Sequence, residues 1–111
     1  MQKYITKTPD GTRDLLFEEC EIHSQVKNRL SDLFRRRGYY EVVTPALEYY
    51  DLFTQPGAAF SQTEMAKLTE PGGRLLVLRP DSTMPIARLV STRLKEASLP
   101  IRLHYSQKVY R

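Results

Sequence analysis

The longest regular pattern of apolar and polar positions lies near the start of the chain, between about Phe17 and Arg37. Apolar side chains recur there at spacings of three and four residues, which places them on one face of an α-helix. Acidic residues stand at the start and arginines at the end, as the helix dipole favours, and Gly38 can end the helix with a positive φ. The pattern predicts a long amphipathic helix whose apolar stripe must pack on a sheet or on a partner. The stripe consists of Ile22, Val26, Leu30, Leu33 and Phe34.

Short segments with a different pattern follow this helix. Residues 39–44 are rich in aromatic and β-branched side chains, which predicts a strand, and Pro45 ends regular pairing because it has no N–H. A second extended piece is expected at about 46–49 and a short helical turn at about 51–55, with residues 56–59 as a loop.

The second half of the chain begins with the local pattern of a β-hairpin. Residues 64–69 and 74–78 carry apolar side chains on either side of a Pro-Gly-Gly turn. A helix is predicted from about Thr83 to Glu96, and residues 101–111 alternate as a half-buried strand does, with His104 on its exposed face. Because hairpin connections dominate, the pattern predicts an α+β fold with a mainly antiparallel sheet and flanking helices.

The composition is that of an ordinary globular protein. A chain of 111 residues, 41% hydrophobic and 27% charged, is enough for one small globular domain. The net charge of +4 is scattered; its densest run, residues 35–37, fits either the end of a helix or a phosphate contact. Cys20 stands alone, so no internal disulfide can form, and we expect it to be a small buried residue on the helix. No apolar run approaches the roughly 20 residues that span a bilayer.

Candidate binding chemistry concentrates between Leu78 and Pro85, where a predicted strand leads into a predicted helix. Asp81 and Thr83 can accept hydrogen bonds from an ammonium group, while Arg13 and Arg111 can meet a carboxylate or phosphate. A free amino acid needs one group of each kind. The residues alone leave two interpretations open, a ligand site and a capped helix with surface charge. They contain no metal-ligand spacing and no Gly-rich phosphate loop.

Four motifs, in one unbroken order, resemble histidyl-tRNA synthetases and their paralogue. Pro9–Asp14 resembles the Pro-x-Gly-Thr-Arg-Asp signature, and the segment from Leu33 to Pro45 resembles motif 1 of the class II enzymes, which builds their dimer interface. Leu78–Thr83 resembles the Leu-Arg-Pro-Glu-Gly-Thr segment that binds the histidine amino group. Val109–Arg111 resembles the start of motif 2. The resemblance implies part of a class II aminoacyl-tRNA synthetase-like catalytic-domain fold.

Asp81-Ser82 stands where the synthetases carry Glu-Gly, and this difference resembles the paralogue, the regulatory subunits of ATP phosphoribosyltransferase. These subunits act at the first step of histidine biosynthesis. They are required for the activity of a short catalytic subunit and for its control by histidine, and they do not charge tRNA. The resemblance implies a non-catalytic cytoplasmic protein without cofactor or metal. Its partners would be the catalytic subunit, a second copy of itself and free histidine, with no tRNA and no membrane.

The site residues follow from the same resemblance. Asp81 and Thr83 are expected to face the histidine ammonium and Arg111 its carboxylate. Because Asp81 is one methylene shorter than the synthetase glutamate, its contact is expected to be longer or water-mediated. The expected dimer-interface residues are Leu33, Phe34, Tyr40, Val42 and Pro45.

The resemblance stops at the entrance to motif 2, and motif 3 is absent. We therefore expect residues 1–111 to be the N-terminal portion of a longer class II synthetase-like domain, unable by itself to make an aminoacyl adenylate. Two other interpretations remain at this stage. The chain could belong to a catalytic histidyl-tRNA synthetase, or it could be an assembly module without a ligand site.

Overall fold

A computed structural model describes residues 4–57 and 62–111 of the chain. Helix α1 spans Phe17–Arg36, and Gly38 follows it with a φ of 86°, as predicted. Thr12 and Asp14, which precede the helix, are residue types that often cap a helix N-terminus, but Leu16 occupies the N-cap position, without a side-chain hydrogen bond. The Thr12 hydroxyl instead donates to the Pro9 carbonyl at 2.5 Å, so this side chain stabilises the turn before the helix.

A three-stranded antiparallel sheet forms the centre of the molecule. Its strands are β2 (Leu47–Tyr49), β3 (Lys67–Thr69) and β4 (Leu75–Leu78), in the order β2-β4-β3. The pairing of β3 with β4 confirms the predicted hairpin. At its turn, Arg74 Nη1 donates to Tyr49 Oη at 3.1 Å, and this hydrogen bond raises the pKa of the Arg74 guanidinium.

The apolar core is small and lies against one face of this sheet. Val77 of β4 is fully buried and packs with Phe53 and Met65. Phe53 belongs to a 3₁₀-helix over Tyr50–Thr54, close to the predicted helical turn, and Met65 follows a second over Gln62–Glu64. Of the loop expected at 56–59, Ala58 and Ala59 lie outside the described residues.

Strands β1 (Tyr40–Glu41) and β5 (Leu103–His104) pair with each other in parallel. Both are shorter than predicted, and their parallel pairing departs from an otherwise antiparallel arrangement. Strand β5 ends early because residues beyond it bond elsewhere: the Lys108 carbonyl accepts from Arg79 Nε at 2.6 Å, and the Tyr110 N–H donates to the Arg79 carbonyl at 2.9 Å.

His104 is the clearest error of the sequence prediction. Its side chain is only 7% exposed and stacks on the ring of Phe34, with 5.2 Å between ring centroids and 18° between ring planes. The alternating pattern indicated a polar face in solvent, but α1 packs on β1, the neighbour of β5, and its Phe34 ring covers His104.

Helix α2 spans Thr83–Arg93, with Pro85 buried in its first turn, where a missing N–H leaves no helical bond unmade. Helix α1, in contrast, contains no buried residue, and Cys20, expected to be buried, is exposed. The β1–β5 pair covers the apolar stripe of α1 only in part, since the five members of the stripe remain 38–52% exposed. Among the described residues, neither helix combines the length and apolarity needed to cross a bilayer.

Candidate functional site

The connection between β4 and α2, residues 79–83, carries the predicted ammonium-binding pair. The Asp81 side chain turns back toward the start of α2, where its Oδ1 accepts from the Thr83 N–H at 3.2 Å. Asp81 is half-buried and Thr83 is exposed. A negative carboxylate is thus held beside the positive end of the helix dipole, with Thr83 at the first helical position.

Arg111, the predicted carboxylate-binding residue, reaches the same connection from the other end of the sequence. Its Nε donates to the Pro80 carbonyl at 3.0 Å. The adjacent Tyr110 N–H bonds to the Arg79 carbonyl at 2.9 Å, which holds the backbone of this segment in place. The structure therefore brings Asp81, Thr83 and Arg111 to one place, with an anionic and a cationic side chain on neighbouring segments.

Arg79 is the principal residue that the sequence interpretation missed. It is 6% exposed, and its guanidinium donates from Nη1 to the Thr44 carbonyl at 2.9 Å and from Nε to the Lys108 carbonyl at 2.6 Å. Each bond joins the connection to a segment distant in sequence. The one feature of the sequence that could have indicated its burial is its position directly after the apolar strand β4, where the chain is still inside the molecule.

Gln107 was missed as well, and it makes three hydrogen bonds. Its Oε1 accepts from the Thr44 N–H at 2.9 Å, and its Nε2 donates to Thr44 Oγ1 at 2.9 Å and to Ser82 Oγ at 3.0 Å. Thr44 and Ser82 are each 4% exposed. Across the described part of the chain, no buried side-chain nitrogen or oxygen lacks a partner. Each buried side-chain nitrogen and oxygen of this polar network, Thr44, Arg79, Ser82 and Gln107, therefore has at least one hydrogen-bond partner.

Arg13, the other candidate cation, forms an ion pair with Glu19, and both side chains are largely exposed. This ion pair connects the segment before the helix, residues 8–14, to the first turn of α1.

The expected dimer-interface residues share an open surface. Tyr40 is 76% exposed; Leu33, Phe34 and Pro45 are also exposed, and Val42 is half-buried. They lie on α1, on β1 and just beyond it.

A partly buried ion pair lies between β2 and α2. Glu48 of β2 is nearly buried and accepts from Arg88 of α2 in a two-pronged contact, with Nη2–Oε1 at 2.8 Å and Nε–Oε2 at 3.2 Å. It joins β2 to α2 along the wall of an open cavity of about 580 Å³. No cluster of three or more potential metal ligands occurs in residues 4–57 and 62–111.

The arrangement of helices and mixed sheets is that of the class II aminoacyl-tRNA synthetase-like catalytic domains. A sequence model described as histidyl-tRNA synthetase matches residues 11–111, and the chain belongs to this family.

Curated relatives of similar sequence carry a more specific name. The chain is 45% identical over all 111 residues to an ATP phosphoribosyltransferase regulatory subunit from Clostridium acetobutylicum, and 41% identical to one from Clostridium novyi. It spans about a quarter of the length of these relatives, 26% in both cases.

Two solved structures show the same fold. A protein from Bacillus halodurans described as an ATP phosphoribosyltransferase regulatory subunit/histidyl-tRNA synthetase matches 96% of this chain and 28% of its own, with a TM-score of 0.85 and 37% identity. The apo histidyl-tRNA synthetase of Staphylococcus aureus matches 95% of this chain and 25% of its own, with a TM-score of 0.81 and 30% identity.

Proposed function

We propose that the chain serves in a regulatory subunit of ATP phosphoribosyltransferase, where it forms part of a histidine-binding site and does not itself catalyse a reaction. The observation that carries this proposal is the meeting of Asp81, Thr83 and Arg111 around residues 80–83. The names of the relatives, at 40–45% identity over nearly the whole chain, support the regulatory assignment over a catalytic one.

The ligand would be bound through opposite charges. The Asp81 carboxylate would accept from the histidine ammonium, with the Thr83 hydroxyl as a second acceptor on the exposed side. The Arg111 guanidinium donates from Nε to the Pro80 carbonyl, which holds its side chain beside Asp81, and a guanidinium is the group best suited to a two-pronged contact with a carboxylate. Because the Asp81 side chain also accepts from the Thr83 N–H, its position is set before a ligand arrives, which lowers the entropic cost of binding.

Three partners complete the proposal. A short catalytic subunit would depend on this protein for activity, and free histidine would be the effector that inhibits the complex. A second copy would pair through Leu33, Phe34, Tyr40, Val42 and Pro45, whose apolar side chains are largely exposed. The protein would work in the cytoplasm and bind no tRNA.

The test is reconstitution of the full-length protein with a short catalytic subunit. We expect the mixture to make phosphoribosyl-ATP from ATP and phosphoribosyl pyrophosphate, and histidine to inhibit it. Asp81→Asn keeps the side-chain shape and the bond to the Thr83 N–H but removes the charge. This variant should restore activity while requiring about tenfold more histidine for inhibition, since a charged hydrogen bond is replaced by a neutral one. Asp51→Asn, at an exposed position, is the matched control.

Histidyl-tRNA synthetase is the second candidate, favoured by the family model and by the Staphylococcus aureus structure. Histidine-dependent exchange of pyrophosphate into ATP by the full-length protein separates the two. Robust exchange would rule out the regulatory assignment. Failure to stimulate a catalytic subunit, together with absence of exchange, would leave only an assembly role.

A further inference from the structure

We propose that Gln107 is a positioning residue of the histidine site, which fixes Asp81 and Thr83 through the side chain of Ser82. This inference rests on the proposed function, since it concerns how the same site is held. Gln107 lies neither in the Leu78–Thr83 motif nor in the Val109–Arg111 motif.

The amide of Gln107 joins three segments that are far apart in sequence. It makes two hydrogen bonds with Thr44: its Oε1 accepts from the backbone N–H and its Nε2 donates to the hydroxyl, both at 2.9 Å. Its third bond, from Nε2 to Ser82 Oγ at 3.0 Å, ends in the connection before α2. Both amide hydrogens and one lone pair of the amide oxygen are used, so the orientation of the side chain is determined.

Ser82 stands between the two residues that would meet the ammonium group. Its side chain is 4% exposed and bonded to Gln107, so the backbone on either side of it cannot rotate freely. The contact of Asp81 Oδ1 with the Thr83 N–H spans Ser82, and this contact is lost if the Ser82 backbone turns. Gln107 therefore controls the half of the site that recognises the ammonium.

The carboxylate half is held by different bonds. Arg111 Nε bonds to the Pro80 carbonyl, the Tyr110 N–H bonds to the Arg79 carbonyl, and the Arg79 guanidinium bonds to the Thr44 and Lys108 carbonyls. None of these contacts includes the Gln107 amide. Loss of that amide should consequently disturb the recognition of the ammonium more than the recognition of the carboxylate or the imidazole.

The test compares two ligands by calorimetry on the full-length protein. Histidine carries all three groups, and 3-(imidazol-4-yl)propanoate lacks only the ammonium. Gln107→Leu keeps the approximate volume and removes the amide. We expect it to weaken histidine binding about tenfold, as expected for the loss of buried hydrogen bonds, and to change the affinity for the analogue by less than about twofold. Gln55→Leu, at an exposed glutamine with one local bond to the Asp51 carbonyl, should leave both affinities unchanged.

Two further variants separate a failure of the positioning role from a failure of the histidine site itself. Ser82→Ala removes a single hydroxyl and should reproduce the selective loss of histidine affinity if Gln107→Leu does not fold. If Asp81→Ala weakens histidine binding while Gln107→Leu and Ser82→Ala do not, the positioning role is wrong and the histidine site stands. An equal loss for both ligands would also overturn it, because a general disturbance of the fold would act on both. A wild type that binds no histidine removes the proposed function and this inference together.

Discussion

Helix α1 and the polar network behind residues 79–83 depend on opposite kinds of interaction. The helix is long, regular and set by local pattern, yet none of its residues is buried. The network has almost no local sequence pattern, yet Thr44, Arg79 and Ser82 are each at most 6% exposed, and none of their buried side-chain nitrogens and oxygens lacks a hydrogen-bond partner. Burial of polar groups costs free energy unless they are paired, so the network fixes one geometry, whereas the helix stripe leaves apolar area for another surface to cover.

The largest expected effect comes from breaking the network. Arg79→Met retains most of the side-chain volume and leaves the Thr44 and Lys108 carbonyls without their charged donors. We expect the free energy of unfolding to fall by about 3 kcal/mol, measured by urea denaturation, because two charge-assisted bonds of a buried arginine are lost. Arg102→Met, at an exposed position on the segment before β5, should change stability by less than about 0.5 kcal/mol. Equal effects of the two substitutions would mean that Arg79 contributes no more than a surface arginine.

The second prediction tests whether the apolar stripe on α1 forms an interface between two copies of the protein. Leu33→Glu places a charge at a position that is 42% exposed, so the folded chain should tolerate it. In the full-length protein we expect the dissociation constant of the proposed dimer to rise by about thirtyfold, because a charge would be buried between the two copies. Sedimentation equilibrium measures the change. Ser24→Glu adds the same charge on the opposite face of α1 and should leave the dimer intact; dissociation by both variants would not support a defined interface on the stripe.

An intermediate effect is expected for the ion pair between β2 and α2. Glu48→Gln removes the charge that faces Arg88, whose side chain is one-third exposed. We expect a loss of about 1–2 kcal/mol in the free energy of unfolding, less than for a fully buried pair because solvent partly screens the arginine. Asp32→Asn breaks an exposed pair with Arg35 and should cost less than about 0.5 kcal/mol. If the two substitutions cost the same, burial does not distinguish these pairs.

The same contrast explains what could be predicted from the sequence. Helix α1, the β3–β4 hairpin and the start of α2 at Thr83 follow from periodicity and turn residues, which act over a few positions. The proposed site residues Asp81, Thr83 and Arg111 came from a resemblance; in the structure Asp81 bonds to Thr83, and Arg111 bonds to the carbonyl of the neighbouring Pro80. His104 and Gln107 could not be placed, because their partners lie some 25 to 70 residues away and no local pattern reports such contacts.

The smallest expected effect lies where α1 passes into β1. Gly38 has a φ of 86°, which a residue with a Cβ adopts only with strain, although no atom lies within 4 Å of an added Cβ. Gly38→Ala should therefore cost about 1 kcal/mol in the free energy of unfolding through backbone strain alone. Gly72→Ala is the matched control, because Gly72 has no positive φ and an added Cβ would make only an ordinary contact of 3.9 Å with Glu70. Urea denaturation of both variants checks this difference. A Gly38→Ala protein as stable as the control would mean that α1 can end in another conformation, and that the angle between the helix and β1 is not fixed by this residue.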